Sequence, residues 1–552
     1  MYLTLSYYIS KLVQVDPTWI DKLPEAKSTK SFCNILGTLL DYVRKGNMCR
    51  AHMSTGTPDI LRFRTGILSK IVPTFVLTKD INLVRQILND PHVAKPESSY
   101  RVFKRLHGYE GGNDFLSAES HKQAFYLRNR MMTYRTLMES ARNKYESTMC
   151  VAVDNFLDSL TGNQCWNTCD IFHQIAITLI TQIGFGETNA NLDRDLFESA
   201  VWLVEDTITH PERVFYPLLD KLPLPSNATL WQKQKQLRTA IYGLIKRKRK
   251  EYNERTDDSE TDVVQELIKN PNNTDQDLLG ILAVFFFAGF DTTANTMTMV
   301  LYHLAKYPEV QEKARKEALH HGQLKWNNVF NMTYLLAVLN EVLRLYPTVP
   351  TVSRNIRASS GLVPRHNESS TFGININMFG VHRQCENPND FIPERWLTPD
   401  QKLCESFMPF AIGKRSCLGK QFAIVEMLTT IHKMLLRFRF SIPATKLNVE
   451  PTFSEFGTLM LDEKSYMVNV EPFEHVNDKH STTDHPAAAE NIIIRVNGKL
   501  YDITNINHPG GNAIFELFRG TVKDASDHYN GFLHSKKAHT VLEQYKIEHS
   551  EQ

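Results

Sequence analysis

Apolar residues recur at intervals of three and four through most of the chain, from about position 33 to position 473. This spacing places them on one face of a 3.6-residue helix and predicts a mainly helical domain, most clearly at 151–160, 172–183 and 335–346. Two stretches, 71–77 and 374–381, predict short strands. An apolar run at 278–290 is too short to span a membrane and predicts a buried helix. The apolar stretch 422–436 predicts another helix.

The pattern divides the chain into four parts. Residues 1–32 form an N-terminal extension, and 33–473 form the helical domain. The stretch 474–489 has almost no apolar residues in its first half and predicts a flexible linker, and a small compact domain follows at 490–552. The first twenty residues contain Lys11 and Asp16. They match neither the apolar core of a signal peptide nor a membrane span, so no transmembrane segment is predicted in this sequence.

Composition adds little to this division. The chain has 552 residues, of which 42% are hydrophobic and 22% charged, as is ordinary for a globular protein. The formal net charge of +2 gives no electrostatic reason to expect nucleic acid as a partner. The basic run 246–250 predicts a solvated helix end. The eight cysteines are scattered, which argues against a disulfide framework and favours a reducing, cytosol-facing compartment.

The segment 410–419, FAIGKRSCLG, places Cys417 in a glycine-flanked loop directly before the helix predicted at 422–436. A thiolate at a helix N-terminus is stabilised as an anion and can bind a metal ion. Gly413 and Gly419 allow a tight turn and a close approach to a flat macrocycle. A buried structural role is the usual alternative for a lone cysteine. Five residue types at fixed spacing favour the ligand.

The F-x-x-G-x-R-x-C-x-G spacing, which begins at Phe410, resembles the haem-thiolate signature of the cytochrome P450 family. The resemblance implies the P450 fold, mainly α with small β-sheets. It also implies a heme b bound through Cys417. Arg415 and Arg354 would bind the haem propionates. On an earlier helix the family carries a further arginine, but Phe125 occupies its position here. Arg128 and Arg130 are both left open as substitutes.

The segment 288–293, AGFDTT, follows the apolar run of the long predicted helix. Its small residues would let the helix face a macrocycle closely, and its acid and hydroxyl could loosen the helix locally. The segment resembles the oxygen-activation motif of the family. Thr292 would then assist oxygen activation, and Asp291 would help to relay protons. The alternative is a helix kink with satisfied polar groups.

Glu341 and Arg344 are spaced to share one helix face. Such a pair is weak on its own, but the segment 391–396, FIPERW, resembles the meander motif of the same family. Arg395 would then complete a buried charge network with Glu341 and Arg344 that braces the proximal side of the haem.

The C-terminal segment carries LYDIT at 500–504, HPGG at 508–511 and a His-Ser pair at 534–535. This combination resembles cytochrome b5, a small α+β domain that holds a heme b between two histidines. His508 and His534 would be the iron ligands, and such a bis-histidine haem transfers electrons without activating oxygen. The interval between them is longer than usual in that family, so His528 and His539 remain alternatives for the second ligand.

Together these resemblances imply a monooxygenase that inserts one atom of O2 into a lipophilic small molecule, with the tail as an electron donor. The sequence has no dinucleotide fingerprint in a plausible βαβ unit, so electrons would come from NADPH-cytochrome reductase. NADH-cytochrome b5 reductase is a second candidate. An isomerase or dehydratase of the same family and a non-catalytic haem sensor are the alternatives. The proline-rich stretch 214–224 suggests peripheral contact with a membrane such as the endoplasmic reticulum. The substrate stays open.

Overall fold

The computed structural model describes two parts of the chain. In the first part it describes residues 48–53, 58–63, 75–90, 93–108, 114, 116, 123–160, 164–187, 199–203, 206, 217–254, 262–357, 371–447 and 450–473. In the second part it describes residues 493–496, 499–503, 523–524 and 542–547.

Helices dominate the first part, as the apolar spacing predicts. Within the described residues we number them α1 to α14: Met48–His52, Ile81–Asn89, Glu97–Leu106, Gln123–Asn143, Cys150–Ser159, Thr168–Leu179, Pro225–Asn253, Val263–Lys269, Asp275–Lys306, Pro308–His321, Thr333–Leu345, Met378–His382, Gln401–Ser406 and Lys420–Arg437. The mainly α fold class is therefore confirmed.

Helix α9, 32 residues long, runs through the centre of the main apolar core. It begins at a capping box, in which the Thr274 hydroxyl accepts from the Asp277 N–H and the Asp277 carboxylate accepts from the Thr274 N–H. It ends where Pro308 follows Tyr307. The helix predicted at 278–290 thus continues well beyond Asp291. Among the described helices it alone is long and apolar enough to cross a membrane, and 83% of its most apolar window is buried inside the protein.

Small sheets surround the helices. We number the strands of the first part β1 to β9: Ile60–Phe63, Phe75–Thr78, Gln164–Asn167, Thr351–Arg357, Thr371–Asn377, Phe438–Ser441, Phe453–Phe456, Thr458–Leu461 and Met467–Pro472. One sheet has the order β1-β2-β5-β4 and packs on a second, smaller apolar cluster. A second sheet has the order β3-β9-β6, and β7 pairs with β8.

Two local predictions need correction. The strand predicted at 374–381 stops at Asn377, whose side chain accepts from the Gly380 N–H and caps the short helix α12. The basic run 246–250 lies near the end of α7, but Lys248 is not solvated. Its ammonium lies 2.9 Å from the Asp262 carboxylate and 3.5 Å from that of Glu187.

The described residues of the tail include strands β10, β11 and β12, at Ile493–Val496, Lys499–Asp502 and Lys523–Asp524. Strand β10 pairs with β11 antiparallel and with β12 parallel. The predicted motif around Tyr501 lies in β11. The Tyr501 side chain is buried, and its hydroxyl donates to the Glu543 carboxylate at 2.9 Å. The C-terminal segment is thereby fastened to this small sheet.

Candidate functional site

The Cys417 loop is a tight turn between α13 and α14. The Cys417 N–H donates to the Phe410 carbonyl at 2.7 Å, and the Ser416 N–H donates to the Gly413 carbonyl at 3.0 Å. Gly413 has a φ of +74°. A Cβ at this position would lie 2.2 Å from the Leu88 carbonyl oxygen near the end of α2. Only glycine therefore fits where the loop passes this helix.

Opposing electrostatic influences act on the Cys417 thiol. Its side chain keeps accessible surface, yet it lies deep enough among protein atoms that burial raises its pKa. The Gly419 N–H donates to the sulfur, and the positive charges of Arg130, Lys420 and Lys95 act in the same direction by lowering the pKa. The surroundings thus favour a thiolate whenever a metal ion offsets the cost of burying its charge.

Four cations converge beside this loop. Burial lowers the pKa of Lys95 well below its ordinary value, and the nearby guanidiniums of Arg354, Arg415 and Arg130 lower it further. The Asp114 carboxylate opposes this effect. The structure therefore brings Arg354 and Arg415 together, as the resemblance implied, and adds two further cations. Three guanidiniums against one carboxylate leave a net positive site suited to a ligand with two carboxylates, and the Lys95 amine adds a further hydrogen-bond donor.

Hydrogen bonds orient two of these cations. The Arg354 Nη1 donates to the Ser353 carbonyl at 2.9 Å and to the Tyr100 hydroxyl at 3.4 Å, and the Lys95 ammonium lies 4.7 Å from the centre of the Tyr100 ring. The Arg130 Nη2 donates to the Ser416 hydroxyl at 3.3 Å. Of the two arginines left open by the sequence, Arg130 reaches the Cys417 loop. The side chain of Arg128 lies outside the described residues.

The hydroxyls of the 288–293 motif bond within α9. Thr292 is half-buried, and its hydroxyl donates to the Ala288 carbonyl four residues earlier at 2.9 Å. The structure gives Gly289 a packing role. A Cβ there would lie 2.7 Å from Ile180, in the turn after α6. The small residue therefore serves close packing of two helices, because it points at Ile180.

Asp291 points away from Thr292, since neighbouring residues project about 100° apart on a helix. The carboxylate is buried, and its Oδ1 lies 3.8 Å from the His173 Nε2 on α6. Its Oδ2 makes no hydrogen bond within the described part of the chain. A buried carboxylate oxygen without such a bond is uncommon and marks a strained or functional position.

Glu341, Arg344 and Arg395 meet in one network. The Arg344 guanidinium forms two bonds of 2.8 Å with the Glu341 carboxylate, and both side chains are fully buried. Arg395 adds a bond of 3.1 Å to the same carboxylate, and the Trp396 indole donates to it at 2.9 Å. Arg344 also donates to the Pro388 carbonyl at 2.6 Å. The network ties α11 to the segment that precedes the Cys417 loop.

Sequence reasoning did not find Lys95, Tyr100 or Glu426 as parts of this site. Glu426 lies on α14 with no exposed surface, and its Oε1 is 3.4 Å from the Thr293 hydroxyl of α9. An acidic residue at an otherwise apolar helix position was the available signal for Glu426. No local pattern marks Lys95 or Tyr100, because their neighbours come from distant segments.

Comparison with protein families agrees with this geometry. The family model described as Cytochrome P450 matches residues 63–470. This chain belongs to the cytochrome P450 family. A second model, described as Cytochrome b5-like Heme/Steroid binding domain, matches residues 477–549. Membership implies a haem held by a cysteine thiolate in the P450 domain and a second haem in the b5-like domain.

Similar curated proteins are also P450s. Cytochrome P450 4A24 of Sus scrofa is 34% identical over 180 residues, which cover 31% of this chain and 36% of that protein. Taurochenodeoxycholic 6 alpha-hydroxylase of Sus scrofa is 32% identical over 190 residues, or 33% of this chain and 38% of that protein. Cytochrome P450 734A1 of Arabidopsis thaliana is 25% identical over 425 residues, or 70% and 76%. This chain therefore spans little more than a third of the first two relatives.

The residues of the P450 domain fit a haem. Cys417 offers a thiolate just before the N-terminus of α14. The arginine guanidiniums around Lys95 suit two propionates. His508 and His534, with their alternatives His528 and His539, lie outside the described residues. The predicted ligands of the second haem therefore stay a prediction.

Proposed function

We propose that this P450 is a monooxygenase that inserts one oxygen atom from O2 into a lipophilic small molecule and reduces the other to water. The observation that carries the proposal is the Cys417 loop, with its Gly419 N–H bond and the cations around it. Haem bound there supplies oxygen activation and oxygen-atom transfer. Cys417 would hold the haem iron through its thiolate.

The chain's own residues have separable roles in this proposal. Lys95, Arg130, Arg354 and Arg415 would hold the two propionates of the haem. Thr292, half-buried on α9, would present a hydroxyl on the substrate side. Asp291 would hold the proton that the reaction consumes there. The Glu341 network would hold the segment that precedes the Cys417 loop, and thereby the loop, in position.

The electrons must come from outside the P450 domain. NADPH-cytochrome reductase is the proposed donor of the first electron, and the b5-like tail is proposed as donor of the second. NADH-cytochrome b5 reductase is a further candidate for reducing the tail.

Phe473 is the last described residue before the predicted linker. The guanidiniums of Arg315 and Arg439 lie 4.4 and 5.0 Å from the centre of its ring, and they fix the start of the linker.

The length of the linker supports this tethered arrangement. The N–H of Phe473 donates to the Arg437 carbonyl at 2.7 Å, so the linker begins at the far end of α14 from Cys417. An 18-residue helix is about 27 Å long. As a flexible coil, the linker predicted at 474–489 would have a root-mean-square reach of roughly 20 Å and a maximum of roughly 55 Å. A tether of that length would allow the tail to reach the thiolate end of the helix.

Two observations bear on substrate class and location. One relative is named Taurochenodeoxycholic 6 alpha-hydroxylase, and that name supports a lipophilic substrate here. Leu222, Leu224 and Trp231 are large apolar side chains that stay more than two-fifths exposed around the start of α7. Such a patch is suited to peripheral contact with a membrane that faces the cytosol.

The test is reconstitution of the full chain with NADPH-cytochrome reductase and a panel of fatty acids, sterols, terpenes and taurochenodeoxycholate. A monooxygenase gives a product that contains one atom of labelled oxygen and depends on NADPH. An isomerase or dehydratase converts a lipid peroxide without NADPH, and a sensor binds ligands without converting them. Either result would overturn the proposal.

Cys417→Ser is the matched control for that experiment. It should abolish oxygenation and the thiolate-type Soret band of the reduced, CO-bound P450 domain, while the haem spectrum of the tail persists. Cys404→Ser changes another exposed cysteine nearby and should leave both unchanged.

A further inference from the structure

His173 on α6 is the one group that the described structure pairs with the Asp291 carboxylate. The separation of 3.8 Å between His173 Nε2 and Asp291 Oδ1 is an ion-pair distance. It is longer than a direct hydrogen bond, and a small side-chain rotation or one bridging water closes it. Asp291 is otherwise unsatisfied at Oδ2 within the described residues, so this contact defines its polar surroundings there.

Packing between α6 and α9 maintains this pair. Gly289 lets the two helices approach closely, because its Cα faces Ile180 in the turn that continues α6. The His173 ring packs edge-on against the Phe290 ring, with centroids 6.1 Å apart. Both contacts keep the imidazole beside residue 291 of α9 and limit its rotation.

Of the two side chains, that of His173 is the more exposed to solvent. The His173 side chain is 18% exposed and that of Asp291 is 11% exposed. Histidine is the side chain best suited to exchange protons with water near neutral pH. The imidazole can therefore collect a proton at the surface and face a carboxylate that lies deeper.

We propose that His173 supplies protons to Asp291 during turnover. In this step the His173 Nε2–H bond breaks and an Asp291 O–H bond forms. The neutral imidazole then takes a proton back from solvent. One proton moves inward per transfer, and no electron is exchanged. His173 touches neither substrate nor cofactor, so it acts through Asp291. The inference rests on the proposed role of Asp291 in the monooxygenase reaction.

The test compares His173→Gln with the intact holoenzyme and with Gln174→Ala. Glutamine keeps polar contact with Asp291 but cannot pass a proton on. Gln174 is the exposed neighbour on α6 and serves as the matched control. His173→Asn is the second variant should His173→Gln fold poorly. Each protein is assayed with reductase, NADPH and the panel compound that gives the largest binding difference spectrum.

We expect His173→Gln to lower product formed per NADPH about ten-fold, less than the roughly 10²–10⁴-fold effect of removing a general acid itself, because His173 acts through Asp291. Peroxide should rise correspondingly. The ratio of product formation in H2O to that in D2O should increase, a readout that a structural role would not move. The binding spectrum and the CO spectrum should stay the same. Unchanged coupling and an unchanged isotope ratio would overturn the proposal.

Asp291→Asn separates this inference from the proposed function. Should Asp291→Asn uncouple the reaction while His173→Gln does not, only the role of His173 fails. Should Asp291→Asn leave coupling intact, the proposed role of Asp291 fails first. The double variant should be no worse than Asp291→Asn alone, because both residues serve one proton path. Additive losses would contradict a shared path.

Discussion

Gly413 occupies the point where the Cys417 loop passes the end of α2. An alanine there would need a left-handed conformation, which costs about 1–2 kcal/mol, and would also press on the Leu88 carbonyl. We expect Gly413→Ala to lower the free energy of unfolding by more than about 2 kcal/mol and to reduce haem content, measured by thermal unfolding and absorbance.

Gly419→Ala is the matched control in the same loop. A Cβ at Gly419 meets no described protein atom within 4 Å, so its unfolding should change little. A loss of haem in Gly419→Ala without a loss of protein stability would support the predicted close approach of this glycine to the macrocycle. Equal destabilisation in the two variants would show that the Leu88 contact is unimportant.

Thr292 holds a hydroxyl on the less buried side of α9. Thr292→Ala should keep haem and substrate binding but release peroxide in place of product, because the hydroxyl would be lost from the substrate side. Thr292→Ser should restore most of the coupling. The measurement is product and peroxide per NADPH. An unchanged ratio in Thr292→Ala would reduce Thr292 to its bond with the Ala288 carbonyl.

At the scale of elements, α14 and α9 are joined by Glu426 and Thr293. Burial raises the pKa of Glu426 well above its ordinary value. The Thr293 hydroxyl has a closer acceptor in the Gly289 carbonyl, at 3.0 Å. A protonated Glu426 can therefore donate to the Thr293 oxygen. This neutral bond would connect the helix after Cys417 with the helix that carries Thr292.

The pH dependence of Glu426→Gln tests this protonation. An acid with a raised folded pKa contributes stability that is complete below its unfolded pKa, near 4.3, and is lost as the pH rises above that value. Glutamine does not titrate. The Glu426→Gln protein should be at least as stable as the parent at pH 7.5, and the difference between their free energies of unfolding should shrink towards pH 5.

The Glu426→Ala protein should lose about 2 kcal/mol of stability, because removal of the buried side chain leaves a cavity. A Glu426→Gln variant less stable at pH 7.5 than at pH 5, relative to the parent, would indicate an ionised carboxylate.

The elements differ in how far sequence predicts them. The Cys417 loop and the Glu341–Arg344 pair are local, so fixed spacing indicates their geometry. Helix α9 was predictable as buried, but its end was not, because the helix continues through the polar Asp291. The meeting of Lys95 with Arg354 and Arg415 depends on tertiary packing between distant segments. The contact of Gly289 with Ile180 was not predictable for the same reason, since Ile180 belongs to another segment.

At the scale of the whole molecule, buried histidines set the response to acid. Burial lowers the pKa of His382 to about 3 and those of His303 and His432 to about 4. A histidine with a lowered folded pKa contributes stability above its unfolded value, near 6.5, that is lost as the pH falls towards the folded value. Each of these histidines should lower the free energy of unfolding by roughly 1.4 kcal/mol per pH unit between its unfolded and folded pKa values. We expect the free energy of unfolding of the P450 domain to fall steeply from pH 6 to pH 4.

His382→Gln is the variant that checks this account. His382 can donate from Nδ1 to the Leu343 carbonyl at 3.3 Å and accept at Nε2 from the Met408 N–H at 3.2 Å. A glutamine amide offers one donor and one acceptor but does not titrate. The slope of stability against pH between 6 and 4, measured by urea unfolding, should decrease by about one histidine's share. An unchanged slope would assign the acid sensitivity to other groups.

The proposed tethering of the tail is also a property of the whole molecule. Cleavage near Asp484 should slow turnover when reductase is limiting, because a short flexible tether gives an effective concentration on the order of millimolar. Micromolar free tail should restore the rate only in part. His508→Ala should have the same effect without changing the CO spectrum of the P450 domain. Equal turnover and coupling in all these forms would contradict tail-to-P450 electron transfer.

The packing of Phe473 against Arg315 and Arg439, where the chain leaves the P450 domain, also bears on the ratio of electron donor to P450 domain in the cell. The tail, proposed as the electron donor and encoded in the same chain, would be present once for each P450 domain, whatever the level of expression. Two separate proteins would have to meet, and their pairing would weaken with every dilution or imbalance in synthesis. In one chain the P450 domain and its proposed donor are synthesised together, so their ratio would stay at one to one.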